Sequence, residues 1–235
     1  MNKAWEHLKT ITRHRNLVRK HCFAVGLYKQ GLCHDLSKYS PTEFLMGIKY
    51  YQGWRSPNVA ERLEKGYSEA WLHHKGRNRH HFEYWLDFVG EGGASADGTK
   101  PKARMVPTRM PVVYIVEMFM DRLAASKVYK GDEYTDASAW EYYNRGDITE
   151  FLHPRTRKIL EGLLKMNAKR GEAYTFEFIR TKLLIKKKRC CCRGKTCGCC
   201  REAEEHKETE TEKDCGSCCR KGKEKAASAG EERHG

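Results

Sequence analysis

The chain has 235 residues, carries 45 Lys and Arg against 31 Asp and Glu for a formal net charge of +14, and is 39% hydrophobic. That length buries the core of one domain plus an appendage, and no apolar run approaches the ~20 residues of a membrane helix, which excludes a helical membrane span. Nine of the eleven cysteines crowd into residues 190–219, which excludes a disulfide framework for the body, while the excess of cations favours anionic partners or simply solubility.

The opening Met1-Asn2-Lys3-Ala4-Trp5-Glu6-His7 lacks the apolar stretch of a secretory signal, so a cytoplasmic protein is expected. Helical signals dominate and strand alternation is nearly absent, which predicts an all-α body over residues 1–185. His34-Asp35 stands between Gly31-Leu32-Cys33 and Leu36-Ser37-Lys38. An imidazole beside a carboxylate either ligates a divalent ion or serves as a surface or capping pair. Ser40-Pro41-Thr42-Glu43 has a capping Ser, a Pro at the first helical position and a Glu at the third. A helix is therefore predicted from Pro41 through Phe44, Leu45, Ile48 and Tyr51.

A second helical pattern covers Ala60 to Asp87, with a break expected at Gly66 or Gly76, and carries Tyr67, Trp71, Phe82 and Trp85. Within it lies His73-His74-Lys75-Gly76-Arg77-Asn78-Arg79-His80-His81, either a ligand cluster or a solvated basic face. In one unbroken helix His74 and His81 would stand ~10.5 Å apart, too far to share an ion. Residues 90–110 are rich in Gly, Ala, Ser and Lys and too long for an ordinary connection, so a lid or disordered insert is expected. Pro111 then opens a segment apolar nearly all round, Val112 through Ala125, which predicts a central buried helix. Glu117 and Asp121 share one of its faces, where two like charges require a cation, either a metal ion or an arginine such as Arg122. Helices over Ala137–Asn144, Pro154–Lys169 and Tyr174–Ile185 complete the body.

Leu32-Cys33-His34-Asp35-Leu36-Ser37-Lys38 resembles the central motif of the HD-domain superfamily of metal-dependent phosphohydrolases. Together with the stretch from His74 to His81 and with Val116-Glu117-Met118 through Asp121, it is similar to an uncharacterised HD-like family of bacteria and phages, over about residues 5–180. The resemblance implies a compact all-α HD-like fold with His34, Asp35 and Asp121 as metal ligands. It leaves the first histidine open among His7, His14 and His21; His14 is preferred, 20 residues before His34 with Val18 four residues on. It adds His74, His80 and His81 as ligands of a second layer, and implies one or two divalent ions among Mn, Fe, Co, Ni, Zn and Mg.

The function so implied is a metal-dependent phosphohydrolase acting on a phosphorylated small molecule or nucleotide. Lys38, Asp35 and Glu117 would act in catalysis, while Arg77 and Arg79 would bind the substrate phosphate. The same ligands on two irons would instead support a non-haem di-iron oxygenase, as in a minority branch of that superfamily. A non-catalytic metal- or nucleic-acid-binding protein is the remaining alternative, though no groove-reading motif is visible. No membrane partner is expected. Residues 186–235 read as a disordered, basic, Cys-rich tail of net charge +4. Its Cys215-Gly216-Ser217-Cys218 has the spacing of a zinc half-site without a regular second half.

Overall fold

In the computed structural model, which describes residues 2–90 and 103–185, a long first helix spans one side of the body. Asn2 opens it by accepting the Ala4 N–H at 3.0 Å, and α1 (Lys3–Ala24) buries His7, Ile11, His14, Val18, His21 and Cys22. Those positions recur every three or four residues, which places them on one helical face. A short α2 (Tyr28–Cys33) and a 3₁₀ turn (Leu36–Tyr39) lead to α3 (Pro41–Tyr50), where Ser40 caps and Pro41 takes the first position as predicted.

The pattern over Ala60–Asp87 is not one helix. α4 (Pro57–Lys65) stops at Gly66, whose φ of 79° is the left-handed closure that glycine adopts without strain. α5 (Glu69–Arg77) then runs straight through Gly76 and ends at Asn78. Asn78 donates both its backbone N–H (3.1 Å) and its Nδ2 (2.8 Å) to His74 O, closing the helix before His80 and His81. A 3₁₀ turn (Phe82–Trp85) follows.

Two strands flank the middle of the expected lid or disordered insert. β1 (Leu86–Gly90) pairs antiparallel with β2 (Ala103–Pro107), with Phe88 opposite Met105. This hairpin is largely exposed, with Leu86 and Phe88 opposite Pro107 and Met105 on one face. The middle of the insert, residues 91–102, and the tail, residues 186–235, lie outside the described residues.

α6 (Val112–Lys130) follows Pro111 and runs five residues past the predicted end. It buries Ile115, Val116, Met118, Phe119, Met120, Leu123 and Ala124 and packs against α1, α2, α7 (Ser138–Arg145) and α8 (Pro154–Phe178), which explains its apolar circumference. α8 is kinked at Gly171 (φ 78°, ψ 173°), which separates the two predicted helices there, and a π turn (Ile179–Leu183) ends the described chain. Eight α-helices and one two-stranded hairpin among the described residues make the body all-α. No described helix is long and apolar enough to cross a membrane.

Candidate metal centre

Asp35 is the one non-glycine residue with positive φ among the described residues (φ 53°, ψ 24°). A left-handed aspartate is uncommon, and such strain concentrates where a side chain must be aimed. The reversal ends α2, begins the 3₁₀ turn through Lys38 N–H donating to Asp35 O (3.0 Å), and buries Asp35 almost completely. Arg15 of α1 anchors the same turn, donating Nη2 to Leu32 O (2.7 Å) and Nε to His34 O (3.2 Å).

The two oxygens of Asp35 face two groups of imidazoles. Oδ2 lies 3.4 Å from His14 Nε2 and 3.3 Å from His34 Nε2, while Asp121 Oδ1 closes that side at 3.0 Å from His14 Nε2 and 3.6 Å from His34 Nε2. Oδ1 lies 3.2 Å from His74 Nε2 and 3.5 Å from His80 Nε2, and His81 Nε2 reaches His74 Nε2 at 2.9 Å. The donor atoms of His14, His34, Asp35 and Asp121 all fall within 4.8 Å of one another, as do those of Asp35, His74, His80 and His81. Two buried clusters able to hold a metal ion thus share one carboxylate.

The far sides of the rings are held by two further carboxylates. Glu117 Oε1 accepts from Nδ1 of His34 (3.0 Å) and lies 3.2 Å from Nδ1 of His80. Glu43 accepts from His73 Nδ1 at Oε1 (2.6 Å) and from His74 Nδ1 at Oε2 (2.7 Å). A carboxylate that accepts a hydrogen bond from Nδ1–H leaves Nε2 with the free lone pair, the arrangement that orients metal-binding histidines. His34, His80 and Glu117 also lie close enough to form a third group, but their Nδ1 contacts are those of an orienting carboxylate behind the Nε2 atoms.

The electrostatics of the two clusters suit a cation. Burial pushes the Asp35 carboxyl up, but His34, Lys38 and His74 outweigh it and hold Asp35 well below the usual range. Asp121 behaves likewise, burial being outweighed by His14 and His34. His34 is raised because Asp35, Asp121 and Glu117 overcome its burial, whereas His81 is pushed well down by burial and by His80 and His74. Apart from the Lys38 Nζ ion pair with Asp35 Oδ2 (2.6 Å), neither Asp35 oxygen nor His80 Nε2 makes a hydrogen bond of proper geometry, although all three atoms are buried. Convergent buried nitrogen and oxygen atoms whose hydrogen bonding is incomplete are costly, and an ion among them would remove that cost.

A family model described as a family of unknown function (DUF5662) matches residues 3–166. The chain belongs to the DUF5662 family. No curated protein and no solved structure matches the chain. The span matched in this DUF5662 chain includes every residue of both clusters and both orienting glutamates, and ends before the Cys-rich tail.

The structure brings together the predicted ligands His14, His34, Asp35, His74, His80, His81 and Asp121. The ~10.5 Å expected between His74 and His81 shrinks to contact because α5 ends at Asn78. His7 and His21 lie elsewhere on α1, His7 against Phe44 and Tyr51, and His21 against Phe176 and near Glu172. Glu117, expected to act in catalysis, lies against the Nδ1 atoms of His34 and His80. Arg77 and Arg79, expected on the substrate phosphate, are exposed; Arg77 donates to His73 O (3.2 Å), and the Arg79 guanidinium lies 5.5 Å from the Tyr84 ring centre. Neither makes an ion pair with the carboxylates of the centre among the described residues. Glu43 is not legible as a site residue, because its position after Ser40 reads as capping.

Proposed function

We propose that the protein is a metal-dependent phosphohydrolase of HD-like type that would hold two divalent ions at the clusters sharing Asp35, acting on a phosphorylated small molecule or nucleotide. The observation that carries this reading is the split of Asp35, with one oxygen toward His14 and His34 and the other toward His74 and His80. His14, His34 and Asp121 would complete one subsite and His74, His80 and His81 the other. Five or more imidazoles beside carboxylates favour Mn, Fe, Co, Ni or Zn over Mg. Bound there, the ions would supply Lewis acidity and acidify water.

The chain's own groups supply positioning. Lys38, with its side chain 28% exposed, is the partly open cation beside an otherwise closed cluster. Burial lowers its pKa, but Asp35 and Asp121 outweigh that and keep the ammonium charged, as a phosphate contact requires.

The test is turnover of a panel of nucleotides and phosphoesters by the metal-loaded protein. Metal-dependent release of phosphate is expected, abolished in Asp35→Asn and reduced by about 10²-fold in Lys38→Ala. The imidazole-rich donor set also suits iron, so a di-iron oxygenase is the second reading. Oxygen consumption by the iron-loaded protein, without phosphoester turnover, would select it.

A further inference from the structure

Glu43 occupies the third helical position after Ser40, where a capping box would return its carboxylate to the Ser40 N–H. The structure uses it otherwise. The Ser40 N–H already donates to Ser37 O at 2.9 Å in the 3₁₀ turn, and Ser40 Oγ accepts the Glu43 N–H at 3.5 Å. The buried carboxylate is thereby released to bridge two histidines of α5, with one oxygen for each Nδ1, 2.6 Å to His73 and 2.7 Å to His74.

Glu117 is the counterpart with a different reach. Its Oε1 serves His34, a donor of the first cluster, and His80, a donor of the second. Glu43 serves His74, a donor of the second cluster alone, and His73, which belongs to neither. Ser37 Oγ, 3.1 Å from His74 Nδ1, and Asn78 Nδ2, 2.8 Å from Ser37 Oγ, crowd the same ring nitrogen but carry no charge. Only the carboxylate of Glu43 combines a strong acceptor with an anion behind His74.

We propose that Glu43 is the positioning residue of the second metal subsite alone, setting the affinity of the ion held by Asp35, His74, His80 and His81, whereas Glu117 sets the affinity of both subsites. This inference rests on the two-ion reading above. Loss of an orienting carboxylate behind a histidine ligand weakens metal binding by about 10–100-fold. Glutamine at position 43 keeps the shape of the side chain but offers one acceptor where two donors must be met, so His74 loses its fixed orientation.

The experiment titrates metal-free full-length protein with Co(II) alone, reading stoichiometry by equilibrium dialysis and the ligand-field absorption of each bound ion. Wild type is expected to take two ions. Glu43→Gln should keep the first at wild-type affinity and bind the second about 10–100-fold more weakly, with the second absorption band restored at correspondingly higher Co(II). Glu117→Gln should weaken both. Circular dichroism and thermal melting of the metal-free Glu43→Gln protein should match wild type, so that a folding defect is separated from a site defect. If that variant melts early, Glu43→Asp keeps the charge but cannot span both rings, and should show the same selective loss. Two ions bound at wild-type affinity in both position-43 variants, or equal weakening of both ions, would overturn the inference and leave the two-ion reading standing. Fewer than two ions on wild type would overturn both.

Discussion

Three histidines on the buried face of α1 show how much one residue's neighbours decide. His7, His14 and His21 are seven residues apart, or ~10.5 Å along a helix, so sequence spacing alone gives them equivalent positions. His14 meets Asp121 at 3.0 Å, and the other two pack against α3 and α8. His7 sits over Gly47, where an added Cβ would stand 2.1 Å from His7 Nε2. Gly47→Ala should therefore destabilise the fold by about 1–3 kcal/mol in urea denaturation, and an unchanged midpoint would contradict the packing. Burial, aided by Lys38, lowers the His7 pKa to about 4, and burial, against the opposing charge of Glu172, lowers that of His21 to about 4. The unfolded state binds more protons between those values and 6.5, so their stabilisation is complete above pH 6.5 and lost as pH falls toward 4. His21→Gln should narrow the difference in unfolding free energy between pH 7.5 and pH 5; an unaltered difference would place the acid sensitivity elsewhere. The His34-Asp35 pair with Lys38 was legible as a local motif. The work of Glu43 was not, because its carboxylate acts on residues 30 positions away and its near neighbours spell a helix cap.

Helix boundaries were legible where a familiar cap or a glycine turn marks them and illegible at Asn78. Ser40-Pro41 and Gly66 marked their ends because capping and positive φ are local chemistry. Asn78 ends α5 by turning its amide onto His74 O, a choice that the pattern of Trp71, Phe82 and Trp85 did not reveal, and it is this break that folds His80 and His81 back onto His74. The hairpin was not legible because each of its strands has only five residues and they flank a Gly-, Ala- and Ser-rich stretch that reads as a loop. The two glycines of α8 give a paired test. Gly171 has φ +78° and its added Cβ would stand 3.2 Å from Asp136 Oδ2, so Gly171→Ala should cost about 1 kcal/mol or more. Gly162 is exposed, helical and has nothing within 4 Å of an added Cβ, so Gly162→Ala should stabilise by about 0.5–1 kcal/mol. Equal effects of the two in chemical denaturation would contradict the kink.

At the scale of the whole molecule, both clusters, both orienting glutamates and the apolar core lie within residues 3–185, while nine of the eleven cysteines lie beyond them. Removing residues 186–235 should leave the unfolding midpoint and the ions of the His/Asp centre unchanged while removing those nine thiols. A lowered midpoint or a loss of metal would make the tail part of the domain. The all-α class was readable because α6 is apolar around its circumference and most helices carry a buried stripe. The convergence of α1, the α2–α3 turn, α5 and α6 on one carboxylate was not readable from periodicity, since it is set by how those helices pack. Elemental analysis of the purified full-length chain tests the central claim most directly. Two transition-metal ions per chain are predicted, with both lost in Asp35→Ala and the first subsite emptied in His34→Ala. Absence of metal from the wild type, or the same metal content in Asp35→Ala, would contradict the account.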